Sequence, residues 1–104
     1  MNVKINNREI TLRYSFRALM LYEKIVGTSF NPKGLTEIMI YFYSTILASD
    51  KDIALTFEEF MNWVDENPTV FNEYSVWLTS TLTKNSVMNE ESDGSGEDST
   101  LKKN

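Results

Sequence analysis

The sequence predicts a mainly α-helical fold: a small four-helix domain preceded by an N-terminal β-hairpin and followed by a disordered acidic tail. Three observations support this prediction. Apolar residues recur at helical spacing through the middle of the chain, two short alternating runs flank a pair of asparagines, and the C-terminal residues have almost nothing to bury. We expect the folded domain over residues 1–84 and a tail or linker over residues 85–104.

The segment "VKINNREITL" predicts the β-hairpin, because asparagine tolerates the left-handed backbone conformation that a two-residue turn requires. A two-residue loop pairs Val3 with Ile10 on one face and Lys4 with Glu9 on the other. This register matches apolar with apolar side chains and opposite charges with each other.

The segment "SFRALMLYEKIVG" predicts the first helix, with Ser15 as its N-cap and Gly27 as its C-cap. Its apolar residues fall on two neighbouring sides, Phe16, Leu19 and Met20 on one and Ala18, Tyr22 and Ile25 on the other. Asn31-Pro32 and Gly34 predict a loop, and a second helix is expected after it, from Thr36 to about Ser49. That helix is apolar nearly all round, so we expect it at the centre of the domain or partly exposed to a partner.

The stretch "SDKDIALTFEEF" invites comparison with a calcium-binding EF-hand loop. With Glu59 as the last ligand, Ala48 falls on the first ligand position and Ile53 falls where the loop needs glycine. Thr56 and Glu59 instead have the spacing of a capping box. The stretch therefore predicts a turn followed by a helix start.

Two further helices complete the expected domain. The third runs from Phe57 to Glu66, and the fourth begins after Pro68 and fades near Lys84 and Asn85. Their apolar stripes are Phe57, Phe60, Met61 and Val64 in the third helix, and Val70, Tyr74, Trp77, Leu78 and Thr81 in the fourth.

Composition removes several function classes. The 104 residues contain no Cys and no His, which excludes disulfides, thiolate nucleophiles, the usual zinc sites and imidazole bases. Ten Lys and Arg against 15 Asp and Glu give a net charge of −5, so nucleic acid is not an expected partner. The N-terminus lacks the apolar region of a signal peptide, and the most apolar run, "IMIYFYSTIL", is about half of a membrane span. We expect a soluble cytosolic protein with no enzymatic activity, no cofactor and no metal.

The remaining candidates for function are aromatic, methionine and basic side chains. Carboxylates near Trp63 fit helix caps and solvated faces better than an acid–base pair, because no nucleophile or base accompanies them. Tyrosine and tryptophan dominate protein–protein hot spots, whereas the alternative for each is a place in the core. The candidate partner-binding residues are Met39, Tyr41, Tyr43, Tyr74 and Trp77, with a basic spot formed by Arg13 and Arg17 near Lys24. That spot has the alternative role of a solubilising face.

The succession "ITLRYSFRALMLYEKIVGTSF", "LTEIMIYFYSTILASDKD" and "LTFEEFMNWVDENP" resembles the tail assembly chaperones of long-tailed bacteriophages and prophages. The resemblance covers about residues 10–82, and its motifs are structural rather than catalytic. It implies that the protein binds the tape measure protein, keeps it soluble and recruits tail tube protein. It also implies action in the bacterial cytoplasm and absence from the mature virion, while self-association is left open.

A chaperone for a long helical client needs grooves lined by adaptable side chains, for which Met20, Met39, Met61, Tyr43 and Trp77 are candidates. The resemblance further implies a longer product made by programmed ribosomal frameshifting near the C-terminus. The end "KKN" is what a ribosome translates from a run of adenines ending in a pyrimidine, so Lys102, Lys103 and Asn104 are the expected slip site. The Gly- and Ser-rich tail then serves as a linker to a second domain.

The alternative function is a small acidic inhibitor or adaptor that presents a negative face to a host protein. Net charge favours it, but it requires carboxylates gathered on one surface. In this chain Lys and Arg are interleaved with the acids through the predicted folded part.

Overall fold

In the computed structural model of this chain, the described residues are 1–31 and 33–93, with side chains described as far as residue 84. A two-stranded antiparallel hairpin, β1 (Asn2–Ile5) and β2 (Arg8–Thr11), precedes four helices. The helices are α1 (Phe16–Val26), α2 (Leu35–Ser49), α3 (Phe57–Glu66) and α4 (Pro68–Asp93). The predicted fold class, four helices after an N-terminal hairpin, is confirmed.

The hairpin has the predicted register, with Val3 opposite Ile10 and Lys4 opposite Glu9. Asn6 and Asn7 have positive φ angles of 54° and 62°, the conformation that a type I′ turn requires. One face of the hairpin packs into the core through Val3, Ile5, Ile10 and Leu12.

The helix starts follow local hydrogen bonding. The Ala18 N–H donates to the Ser15 hydroxyl at 3.1 Å, and Gly27 ends α1 with a φ of 92°, as the sequence predicts. At the start of α3, Glu59 N–H donates to the Thr56 hydroxyl at 3.1 Å, and Thr56 N–H donates to the Glu59 carboxylate at 2.9 Å. The predicted capping box is therefore confirmed.

Helix α2 lies at the centre, in contact with α1, α4 and β2. Tyr41, Phe42 and Ile46 of this helix are fully buried. The Phe42 ring stacks on Tyr74 of α4 at 4.0 Å between centroids and meets Phe60 of α3 edge-on at 5.2 Å. These aromatic contacts hold α2, α3 and α4 around one core.

Helix α4 continues to Asp93, past the point near Asn85 at which its apolar periodicity fades. The chain has neither glycine nor proline between Pro68 and Gly94, so no residue interrupts the backbone hydrogen bonds earlier. The rest of the predicted tail, including the proposed slip site at Lys102, Lys103 and Asn104, lies outside the described residues.

Candidate functional site

The sequence-predicted partner-binding residues divide by depth in the structure. Met39, Tyr41 and Tyr74 belong to the buried core, with both tyrosines fully buried. Tyr43 and Trp77 are half-buried. A partner does not reach the first three in this conformation, so any direct contact with them would require the helices to separate.

Tyr41 and Tyr74 have structural neighbours that account for their burial. The Tyr41 ring stacks on Phe30 with centroids 4.1 Å apart, which attaches the loop after α1 to α2. The Thr45 hydroxyl donates to the Tyr41 carbonyl at 2.8 Å and lies 2.9 Å from the Tyr74 hydroxyl. Because the single hydroxyl proton of Thr45 is used on the carbonyl, Tyr74 is the donor to Thr45.

The two buried tyrosines differ at the hydroxyl. The Tyr74 hydroxyl has Thr45 as its partner, whereas the Tyr41 hydroxyl is buried without a hydrogen-bond partner among the described atoms. Burial, which disfavours the charged phenolate, raises the pKa of both hydroxyls well above the usual tyrosine range.

Tyr43 and Trp63 connect elements that are distant in sequence. The Tyr43 hydroxyl donates to the Leu55 carbonyl at 2.6 Å, and its ring meets Phe57 edge-on with centroids 5.3 Å apart. The indole N–H of Trp63 donates to the Lys4 carbonyl at 3.0 Å, which attaches the hairpin to α3. Both contacts support the fold, because each occupies the polar end of the aromatic side chain.

The loop that was compared with a calcium site makes a different contact. Both Asp50 carboxylate oxygens accept hydrogen bonds from the Arg8 guanidinium, at 2.7 and 2.8 Å, and one of them also accepts the Asp52 N–H at 3.1 Å. Ile53 is buried. Among the side chains that the structure describes, residues 1–31 and 33–84, no group of three or more Asp, Glu, His or Cys gathers as a metal site needs.

Among the described side chains, the most exposed large apolar residues are Phe16 and Met20 of α1. Phe16 is 84% exposed and Met20 is 69% exposed, and they are one helical turn apart on the same side of the helix. Ala18 and Tyr22 on the other side are buried, since α1 packs against α2. Helix α1 is therefore covered on one side only.

Two cations accompany these exposed residues. A surface depression of about 790 Å³ is lined by Arg17, Met20, Leu21, Glu23 and Lys24. We call Phe16 together with these five residues the α1 surface. Among the described side chains, the one salt bridge joins Arg8 and Asp50. Arg17 and Lys24 therefore form no salt bridge with another described side chain.

Arg13, the other predicted basic residue, lies in the segment between β2 and α1. Its backbone N–H donates to the Ser49 hydroxyl at 3.1 Å, and its side chain is exposed. It does not line the depression. The structure thus brings Arg17 and Lys24 together with Met20, whereas Arg13 is held near the end of α2.

The sequence predicts Met20 as an adaptable contact residue but does not single out Phe16 for binding. The sequence does contain a sign of this exposed surface, because α1 has apolar residues on two neighbouring sides and one packed helix covers only one side.

Comparison with known proteins adds no assignment, since no protein-family model, curated protein or solved structure matches the chain. No helix within the described residues combines the length and apolarity that a membrane crossing needs.

Proposed function

We propose that the protein is a phage tail assembly chaperone that binds the tape measure protein, keeps it soluble and helps to recruit tail tube protein. The observation that carries the proposal is the uncovered apolar side of α1, where Phe16 and Met20 are 84% and 69% exposed. Exposed apolar surface of this kind is typical of protein-binding sites. Methionine is suited to a variable client, because its flexible side chain adapts to different partners.

The sequence resemblance supports the same proposal, because it covers the segments that form α1, α2 and α3. In this proposal the protein acts by binding alone, in the cytoplasm of the bacterial host, and leaves before the virion is complete. Its work is to cover apolar stripes of a long helical client that would otherwise associate with each other.

Co-expression tests the proposal. The tape measure protein, which the proposal expects to be encoded next to this chain, is produced alone, with the intact chain, or with the intact chain and the tail tube protein. We expect it to be insoluble alone, soluble with the chain and retained on an affinity-tagged chain. A client that stays insoluble and is never retained contradicts the proposal.

The net charge of −5 favours a second candidate, an acidic inhibitor or adaptor of a host protein. Exposed carboxylates do occur at both ends of α3, at Glu58 and Glu59 and at Asp65 and Glu66. This candidate predicts that reversing charges on α3 abolishes binding to a host protein, whereas variants of the α1 surface have no effect. The chaperone proposal predicts the opposite pattern with the tape measure protein.

A further inference from the structure

The α1 surface combines an apolar anchor with positive charge. Phe16 and Met20 lie one turn apart, as do Arg17 and Leu21, and Lys24 follows Leu21 by three residues. The apolar pair therefore runs along the helix beside the two cations. Such a surface presents contacts both for an apolar stripe and for carboxylates next to it.

The charge of this surface is opposite to that of the whole chain. Among the described residues that line the depression, Arg17 and Lys24 outnumber the one carboxylate, Glu23, on a protein of net charge −5. Glu23 also accepts a hydrogen bond from the Ser29 hydroxyl at 3.4 Å. Local cations with no salt-bridge partner among the described side chains favour an acidic ligand.

We infer that the α1 surface docks an amphipathic helix of the client whose apolar stripe is flanked by carboxylates. The inference rests on the proposed function, because it assigns the docking site and the chemistry of the tape measure segment. Phe16 and Met20 insert between apolar side chains of that helix, and Arg17 and Lys24 pair with its Asp or Glu residues.

Charge also argues against a second copy of the chain as the occupant. In a two-fold dimer formed by this surface, the same patch, with its excess of cations among the described residues, faces itself across the interface. Like charges brought together in an interface weaken it. An acidic client helix meets no such repulsion.

A pair of synthetic peptides tests the chemistry with the full-length protein. Each peptide is a helix of about 18 residues with the same leucine stripe, flanked by Glu in one peptide and by Lys in the other. Fluorescence anisotropy at about 50 mM salt is expected to give at least about tenfold tighter binding of the Glu peptide, falling as salt is raised. Equal affinities for the two peptides overturn the inference.

Variants locate the binding site. Met20→Glu and Arg17→Glu are each expected to weaken binding of the Glu peptide by about tenfold or more, with unchanged thermal unfolding because both side chains are exposed. The matched control is Val76→Glu, since Val76 is 64% exposed on α4, which packs against α2 and α3. An equal loss of affinity in the control overturns the assignment to α1.

The other occupants have distinct outcomes. Changing Glu90, Glu91, Glu97 and Asp98 to their amides in the full chain is expected to leave peptide affinity unchanged. A tenfold gain would make the chain's own acidic segment the occupant. Sedimentation is expected to show that the wild-type protein does not self-associate. If it does self-associate and Met20→Glu abolishes the association, a second copy of the chain is the occupant.

Co-expression with the tape measure protein separates this inference from the proposed function. If the wild-type chain retains the client and Met20→Glu does not, both stand. If both forms retain the client equally, the chaperone function stands and the α1 docking site is wrong. If the wild type retains no client, the proposed function fails, whatever the peptides show.

Discussion

Helices α2 and α1 are both rich in apolar residues, but a larger part of the apolar surface of α2 is covered. Tyr41, Phe42 and Ile46 of α2 are fully buried, whereas Phe16 and Met20 of α1 are 84% and 69% exposed. Helix α2 lies between α1, α4 and β2, and α1 packs mainly against α2. The difference shows that the apolar residues of a helix determine how much of its surface favours burial. The position of the helix in the fold decides whether another element packs against that surface.

The same residue type therefore has opposite roles in the two helices. Phe42 holds three helices together, whereas the ring of Phe16 is exposed to solvent. Five predictions, ordered by expected size, test whether this contrast is energetic as well as geometric.

The largest difference is expected between Phe42→Ala and Phe16→Ala. Removing the buried ring leaves a cavity beside Tyr74 and Phe60 and should lower the free energy of unfolding by about 3–5 kcal/mol. Removing the exposed ring should change it by less than about 0.5 kcal/mol. Urea unfolding of both variants measures the difference, and similar losses at the two positions would break the comparison.

High pH should destabilise the α2 side of the core. Burial raises the pKa of Tyr41 and Tyr74, while the unfolded chain titrates near the usual value of about 10. Above that pH the unfolded state releases protons that the folded state keeps, so the free energy of unfolding falls as pH rises. Below about pH 9 these tyrosines should contribute no pH dependence.

Denaturant melts from pH 8 to 11 measure this effect, and Tyr74→Phe should reduce the slope above pH 10 because one buried phenol is removed. A slope that is unchanged in the variant would assign the effect to other groups.

Removing the two buried hydroxyls one at a time should give unequal results. Tyr74→Phe loses the hydrogen bond to Thr45 and should cost about 1 kcal/mol. Tyr41→Phe removes a buried hydroxyl that has no hydrogen-bond partner among the described atoms, and should be neutral or stabilising. Equal destabilisation, measured by thermal unfolding at pH 7, would show that the Tyr41 hydroxyl has a partner in solution.

Helix caps should matter more for α1 than for α2. Ser15 caps α1 through its hydroxyl, so Ser15→Ala should cost about 1 kcal/mol. Gly34 precedes α2 with no side-chain cap, and Gly34→Ser should change stability by only a few tenths of a kcal/mol. Chemical denaturation measures the change in the free energy of unfolding for both variants. A larger change for Gly34→Ser than for Ser15→Ala would contradict the prediction.

The smallest effect is expected at the exposed Arg8–Asp50 pair. The hydrogen bond from Arg8 lowers the pKa of the Asp50 carboxyl. The pair therefore contributes to folding stability above the ordinary carboxyl pKa of about 3.9, and this contribution is lost as pH falls below that value. Arg8→Gln should be slightly less stable than wild type at pH 7. The difference should vanish near pH 2 and in about 1 M salt. A difference that persists in acid would point to packing of the arginine stem instead.

Local features were predictable because they depend on neighbouring residues. The hairpin register follows from Asn6 and Asn7, and the start of α3 follows from Thr56 and Glu59, with partners at most a few residues away. The continuation of α4 beyond Asn85 was harder to predict, because fading apolar periodicity does not stop a helix that has neither glycine nor proline after Pro68 and up to Asp93.

The candidate site was predictable in its residue types and not in its location. Arg17 and Met20 were both named from sequence, and the structure places them beside one depression. Tyr41 and Tyr74 were also predicted to bind a partner, but they lie in the core, because tyrosine suits both a core and a binding surface. Which of these roles applies depends on contacts with residues far away in the chain.

The sequence by itself determined the turn, the caps and the period of each helix, because those are satisfied by hydrogen bonds within a few residues. The tertiary structure alone decided that most of the apolar surface of α2 is enclosed and that one side of α1 is left exposed. Burial is a property of the whole packing arrangement: α2 has neighbours around it, and α1 packs mainly against α2 on a single side. Phe16 and Met20 are therefore exposed although their residue types favour a core.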